Sequence, residues 1–249
     1  WAITTVIAAV GALNNFVLSE FNSFGANKFI MWGQVPESKR GLVSWDTVKI
    51  STREAEALRE QCRSIECLTL ATRFRAPVRY KDTTKGGVIV NAGQADLFKI
   101  DNLEVLNGRP FNQADDEEAL QVCLVNDKAI DELLLERQGL GEHIYIGGNR
   151  FLIIGVIKTK DPSPMFGGGD SKSEIYVPYG VVPRLRPDWW PEIRALMRDA
   201  KEMEEAQAEI RFVMRSQRQL QPDEEDTFGM FLFESVISKL RAMGATLTA

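Results

Sequence analysis

Histidine is all but absent: His143 is the single one in 249 residues. That excludes His-rich metal sites and most acid–base chemistry built on imidazole. Cysteine is nearly as scarce, with Cys62, Cys67 and Cys123 and no Cys-x-x-Cys pair, so the spacing a zinc site needs is missing. Three is an odd number, which excludes a fully paired disulfide scaffold. It leaves one bridge, from Cys62 or Cys67 to Cys123, or buried free thiols. Lys/Arg runs are lacking, and the formal charge is 30 − 35 = −5, so nucleic acid is not an expected partner. No stretch reaches the roughly 20 apolar residues of a membrane span, and no basic segment precedes the apolar residues 2–13, as a signal peptide would require. Gly-x-Ser-x-Gly and Ser-x-x-Lys do not occur. Gly167–Ser173 has the look of a phosphate loop, but Ser171 precedes Lys172 where glycine is needed and strand-forming residues follow where a helix should begin. The sequence therefore predicts no catalytic residue, no cofactor and no metal ligand.

What is present is ordinary globular material. Apolar residues make up 44% and charged residues 26%, which excludes disorder. The length fits one large domain or two small ones with a core that needs no staples. The first residue is Trp1, which reads as a piece of a longer or processed chain.

Ile3, Val6, Val10, Leu13, Val17, Phe21 and Phe24 recur at threes and fours, the stripe of a long helix closed by Gly25. Phe29–Trp32 reads as a short strand and 33–46 as a loop. Ser51 and Glu54 form a capping-box pattern ahead of a helix to about Ser64. Cys67–Tyr80 is rich in β-formers, and Gly86-Gly87 is expected to turn the chain into Val88–Val90. A short helix and turn are expected over 94–106. Asp115–Glu118 reads as a solvated acidic loop, with an acidic metal cluster as the alternative. Val122–Val125 is a buried strand, and Asn126 caps a following helix. Ile144–Ile146 and Phe151–Ile157 flank Gly147-Gly148 as a hairpin. Ile175–Val177 and Ile193–Met197 are further strands. Asp199 and Glu202 form a second capping-box pattern, before a helix through about Gln219 with acids in front and bases behind. Phe228–Phe233 and Val236–Leu247 close the chain as strand and helix. Two βαβ-like halves thus flank a β-rich insert, an α+β architecture.

Four apolar side chains stand out as partner-binding candidates. Trp189 and Trp190 sit between Pro187 and Pro191, where they either pack a loop onto the sheet or anchor a partner. Met165 and Phe166 sit between two prolines and three glycines, with the same two readings open. His143 reads as a strand-edge residue.

The ordered set of segments resembles a known family. Phe24-Gly-Ala-Asn27, after an apolar helix and before a strand, resembles the LGxN step of MacB-type ABC permeases. Gly108-Arg-Pro-Phe111, an acidic stretch and Val122–Val125 are similar to that family's GRxF…D…VxVL segment. LGEHIYIGGNRFLIIGV, residues 140–156, resembles its hairpin, and the Gly-rich loop before Ile175-Tyr-Val-Pro178 its approach to a vyiP strand. Glu225-Asp-Thr-Phe228 is similar to the xDF before the second membrane helix. Ala26 departs from the usual Thr, and Glu142 stands where Lys or Arg is common. The matches span about residues 20–235 in order and identify the chain as resembling the MacB/FtsX/LolC class of ABC transporter permeases, in its MacB-like periplasmic core domain.

The resemblance implies a porter-like subdomain of two βαβ halves (29–110 and 188–233) with an inserted β-rich second subdomain (111–187). Helical stalks at 1–28 and 234–249 would lead to the first and second membrane helices. It implies a domain facing the periplasm or cell exterior from the bacterial inner membrane. The expected partners are a cytoplasmic ABC ATPase domain or subunit, a homodimer mate or paired permease, and a membrane-fusion-type adaptor or a lipoprotein carrier. ATP hydrolysis would lie in the separate nucleotide-binding part, and this domain would couple it mechanically to export or extraction. The competing function is a membrane-tethered module that binds peptide, lipid or lipoprotein without coupling to ATP. A hydrolase would need a nucleophile–base pair that the sequence does not offer.

Overall fold

The structure, a computed structural model, describes residues 27–159, 172–199 and 202–233. The helices expected over 2–24 and 236–247, and the loop tip at Met165 and Phe166, lie outside the described residues.

β1 (Lys28–Gly33) buries Phe29 and Met31. Two 3-10 turns, Glu37–Lys39 and Trp45–Val48, lead to α1 (Thr52–Gln61). Its expected capping box is complete: Ser51 Oγ accepts from the Glu54 amide at 3.3 Å, and Glu54 Oε2 accepts from the Ser51 amide at 2.7 Å. β2 (Ile65–Tyr80) is one strand of 16 residues, and β3 (Thr83–Gly93) returns antiparallel to it. The turn lies at Lys81-Asp82, not at Gly86-Gly87 as the glycines suggest. Those glycines sit inside β3, where Ala76 pairs with Val88 but Val78 pairs with Lys85. Pro77 thus faces two residues across a bulge, which removes the demand for the ladder N–H it lacks. Its carbonyl accepts instead from the Gly147 amide at 3.0 Å.

The chain continues through α2 (Leu97–Ile100), β4 (Val105–Gly108), α3 (Gln113–Glu117), β5 (Val122–Asn126) and α4 (Asp127–Leu133). Asn126 caps α4 as expected, its Oδ1 accepting from the Ala129 amide at 2.9 Å. Asp115–Glu118 is not a solvated loop. Asn112 and Asp115 form a capping box, and Arg109 forks onto the Asp115 carboxylate at 2.6 and 3.1 Å, so a buried carboxylate finds all its partners locally. The hairpin of β6 (His143–Ile146) and β7 (Asn149–Ile157) is as expected, with Gly147-Gly148 at its turn. β8 (Glu174–Pro178), α5 (Val182–Leu185), β9 (Glu192–Met197), α6 (Met203–Gln217) and β10 (Phe228–Leu232) complete the described elements. Glu202 is the N-cap of α6 and makes no side-chain cap bond; the expected Asp199–Glu202 box runs through residues 200 and 201, which lie outside the described residues.

The strands form one mixed sheet ordered β10-β1-β9-β2-β3-β8-β5-β7-β4, with β6 bridging β7 and β2. At one end, β1-α1-β2 straddles β9, and β9-α6-β10 straddles β1. This is a pair of interlocked split βαβ units. Leu68, Leu70, Ile193 and Ala195 pack there against Leu58, Ile210 and Val213 of the two helices, forming the first core. At the other end β2, β3, β8, β5, β7 and β6 pair in a closed ring. Its interior is the second core, with Phe74, Val78, Val90, Val125, Ile144, Phe151 and Val177. Closure leaves these six strands no free edge among themselves. A third, smaller cluster lies outside the ring, where Phe98 and Phe111 meet edge to face at 4.6 Å.

The second core takes in Phe74 to Ala92, residues that the sequence reading placed in the first subdomain, 29–110. The cores divide within β2, because its side chains past Thr72 turn into the ring. Polar links tie the parts together. Asp101, just past α2, accepts from Lys28 of β1 at 3.0 Å and from Arg194 of β9 at 2.7 Å. Arg218 beyond α6 holds Glu54 at 2.5 Å, Thr227 Oγ1 at 2.8 Å and the Val48 carbonyl at 3.1 Å.

All three cysteines are free thiols, and Cys62 and Cys123 are buried. Burial pushes Cys62 up to about 12, raises Cys123 further and raises the partly exposed Cys67 as well. A thiol-specific reagent at mildly alkaline pH should therefore modify Cys67 first in the native chain, and Cys62 and Cys123 only on unfolding. Mass analysis after timed labelling reads this directly. Arg218→Ala should lower stability by about 3 kcal/mol in urea unfolding, since it strands Glu54 in a mostly buried site, and Arg218→Lys should restore only part of the loss.

Candidate functional site

The two cores meet at Thr72. Its hydroxyl is buried and donates to the Trp190 carbonyl at 2.9 Å, tying β2 to the segment before β9. Trp189 packs on the second core, and its Nε1 donates to the Tyr179 hydroxyl at 2.9 Å. Trp190 meets the edge of Trp45, ring centroids 5.9 Å apart. Lys49 Nζ lies 5.8 Å and 5.6 Å from the centroids of Trp189 and Trp190 and pairs with Asp46 at 2.6 Å. Trp189 and Trp190 are half-buried, so packing onto the sheet accounts for much of their surface. Trp45 is 55% exposed, so the patch it forms with Trp190 faces solvent. The sequence reading missed Trp45. An aromatic side chain in a loop of charges and turn residues was the available signal. Of the four candidates the structure brings Trp189 and Trp190 together; Met165 and Phe166 lie outside the described residues.

Beside this patch a cleft of about 620 Å³ separates α1 from α3 and the turn after β8. One hydrogen-bonded chain crosses it. Arg59 of α1 donates to the Leu68 carbonyl at 2.9 Å and to Gln94 Oε1 at 3.3 Å. Gln94 Oε1 also accepts from the Leu70 amide at 3.2 Å, while Gln94 Nε2 donates to Asp116 Oδ2 at 3.3 Å. Asp116 Oδ1 accepts from the Gly180 amide at 2.7 Å. Gly180 is required there, because a Cβ would stand 2.2 Å from the Asp116 carbonyl oxygen. The first core is thereby connected to the second through three side chains and three backbone groups.

Burial lifts the Asp116 carboxyl above its usual value, and the donors from Gly180 and Gln94 oppose that lift without cancelling it. Burial likewise raises Tyr179. Glu56, Asp96 and Glu117 also line the cleft, so its lining is more acidic than basic. His143 is exposed on β6, outside this lining. Among the described residues no group of three or more His, Cys, Asp and Glu side chains is placed to hold a metal, and no helix is long and apolar enough to cross a membrane. Lys172 and Ser173 of the glycine-rich stretch lead into β8, where Ser173 is bonded to Glu132 and Asn126 Nδ2 donates to the Lys172 carbonyl at 2.9 Å. The cleft's chemistry is thus hydrogen bonding between two packed bodies.

Comparison with known proteins gives a consistent result. The family model described as the MacB-like periplasmic core domain matches residues 1–213. The chain is 25% identical over 181 residues to the macrolide export ATP-binding/permease protein MacB 2 of Aeromonas hydrophila, covering 73% of this chain and 27% of that protein. The chain thus spans about a quarter of that relative's length. Its fold is similar to the periplasmic region of MacB from Actinobacillus actinomycetemcomitans, with a TM-score of 0.68 at 15% identity, over 87% of this chain and 94% of that one. It is also similar to the extracellular domain of the noncanonic ABC-type transporter YknZ from Gram-positive bacteria, with a TM-score of 0.67 at 14% identity, over 82% and 100%. At these identities the two structures speak for the fold alone.

The raised Asp116 carboxyl sets a sign. Folding favours its protonated form, so its contribution to stability is greatest below the unfolded value of 3.8 and is lost as pH rises through the raised folded value. Asp116→Asn removes that loss. The stability of the variant relative to the parent chain, followed by urea midpoints from acid to neutral pH, should rise across this window. A flat difference would show that Asp116 is not held against ionisation.

Proposed function

The chain belongs to the MacB-like periplasmic core domain family, and from that membership we propose that it couples ATP hydrolysis in the cytoplasm to the movement of cargo outside the membrane. A periplasmic core domain of this kind is part of a transporter permease and is not itself a catalytic domain. In this reading the ATPase is a separate nucleotide-binding domain or subunit, and the permease is a dimer or a pair. The domain faces the periplasm or cell exterior from the inner membrane and works without a cofactor of its own. Its partner there is a membrane-fusion-type adaptor or a lipoprotein carrier. The relative from Aeromonas is named for macrolide export, and export is the direction of transport we adopt.

The observation that carries this reading is β2. Residues 27 and 233 border strands that are neighbours in the sheet, with Phe29 opposite Leu232. Met197 donates its amide to the Asn27 carbonyl at 2.8 Å, and Ile65 at the start of β2 pairs with Met197. A displacement delivered at residue 27 or 233 therefore enters beside the start of β2. That strand runs without interruption into the second core, roughly 50 Å along its length. A paired strand transmits such a displacement as a stiff element, and the Arg59–Gln94–Asp116–Gly180 chain braces the junction.

The patch of Trp45 and Trp190, with Met165 and Phe166 of the sequence before β8, is the proposed contact with the periplasmic partner. Photo-crosslinking residues at these four positions in the whole permease, in its membrane, should each be tested for capture of an adaptor or carrier identified by mass. Trp45→Ser with Trp190→Ser should lower the partner's stimulation of ATP hydrolysis several-fold. ATP hydrolysis indifferent both to a periplasmic partner and to these changes would instead mark a tethered binding module without coupling.

A further inference from the structure

The outer wall of the closed ring carries a row of side chains across three strands. Arg79 of β2 stands opposite Tyr145 of β6, and Tyr145 opposite Arg150 of β7. The Arg79 guanidinium lies 4.2 Å from the Tyr145 ring centroid, and its Nη1 donates to the Lys81 carbonyl at 3.3 Å. Arg75 projects from the same face of β2 and donates to the Gly87 carbonyl at 3.0 Å. All three arginines are exposed.

An acidic neighbour directly across the strands stabilises an exposed arginine on a sheet. Here the cross-strand neighbours are Ile89 for Arg75, Thr84 and Tyr145 for Arg79, and Tyr145 for Arg150. Three acids of this region are engaged elsewhere: Glu174 with Arg73, Glu136 with Lys81 and Glu132 with Lys85. Among the described residues Arg75, Arg79 and Arg150 form no ion pair. In a chain of net charge −5, Arg79 and Arg150 on either side of Tyr145, with Arg75 further along β2, form a local positive surface. Guanidinium forks match carboxylates two bonds at a time, and Arg and Tyr are the residue types that dominate binding hot spots.

We propose that this wall docks an acidic segment of a partner protein, with carboxylates in the forks of Arg79 and Arg150 and an apolar side chain against Tyr145. The row lies near the Tyr80 end of β2, remote from the end that holds residues 27 and 233, which places it away from a lipid surface in the orientation proposed above. The peptide measurement below does not depend on that orientation. The guanidiniums lie on two strands, β2 and β7, on either side of β6 at an open surface, so a chain of carboxylates engages them where one small anion does not.

The test uses the 249-residue chain and a fluorescein-labelled peptide alternating Glu and Ala, with its Lys–Ala counterpart as control, read by fluorescence anisotropy. The Glu peptide should bind at physiological salt and weaken as salt rises. R79A with R150A should weaken it about tenfold or more. R79E with R150E should abolish it and admit the Lys peptide. Unchanged thermal unfolding of both double variants would show that the fold is intact, as expected for exposed positions. Equal binding by the parent and reversed chains, or no binding of the Glu peptide, overturns the proposal. Phosphatidylglycerol vesicles that bind with the same arginine dependence while the peptide does not would overturn it in favour of a lipid surface.

Discussion

A single row of side chains on one face of β2 holds the molecule together. Leu68 and Leu70 enter the first core, and Phe74, Ala76, Val78 and Tyr80 enter the second. Thr72 stands between them, its hydroxyl committed to the Trp190 carbonyl. Successive residues of a strand alternate faces, so these even-numbered positions share one side. What differs is the cover. Helices α1 and α6 close the first stretch, and the strand's own neighbours curl into a ring over the second. Neither core can shift along β2 by one residue without sending its apolar row to the outside.

The polar groups follow the same division. Where the cover is helical, the buried charges are tightly matched: Arg218 with Glu54, and Asp101 with Lys28 and Arg194. Each of these joins segments distant in sequence, so each fixes the packing of α1, α6 and α2 on the sheet. Their loss would be felt as stranded charge. At the junction, the bonds of Gln94 and Asp116 serve the same end through an amide and a single carboxyl group. On the outer wall of the ring, Arg75, Arg79 and Arg150 are exposed and form no ion pair among the described residues.

The proposed coupling draws on this layout. A periplasmic core domain of a MacB-like permease that passes motion outward needs an input near its connections, a stiff path and a surface at which the motion is used. The neighbouring starts of β1 and β2 at the Met197 end of β9 offer the first, and β2 the second. The Trp45–Trp190 patch and the arginine wall are separate surfaces of different character, one apolar and one cationic.

Local chemistry was legible in the residue order. The Ser51–Glu54 box, the Asn126 cap, the Gly147-Gly148 hairpin and the strands around Val122, Ile175 and Ile193 each depend on neighbours within a few positions, and periodicity and cap chemistry report such neighbours. The α+β class and the family resemblance grew from those same segments. Non-local pairing was not legible. The turn at Lys81-Asp82 lies away from the conspicuous glycines because the Pro77 bulge, which faces another strand, uses them instead. Asp115 is buried because Arg109 forks onto it, and the cores part at Thr72 because β6 closes a ring with β2. Trp45 joins Trp190 across 145 positions of chain. In each of these cases the deciding energy comes from burial and hydrogen bonding between residues that a linear pattern does not relate, so the outcome waits on the packed sheet.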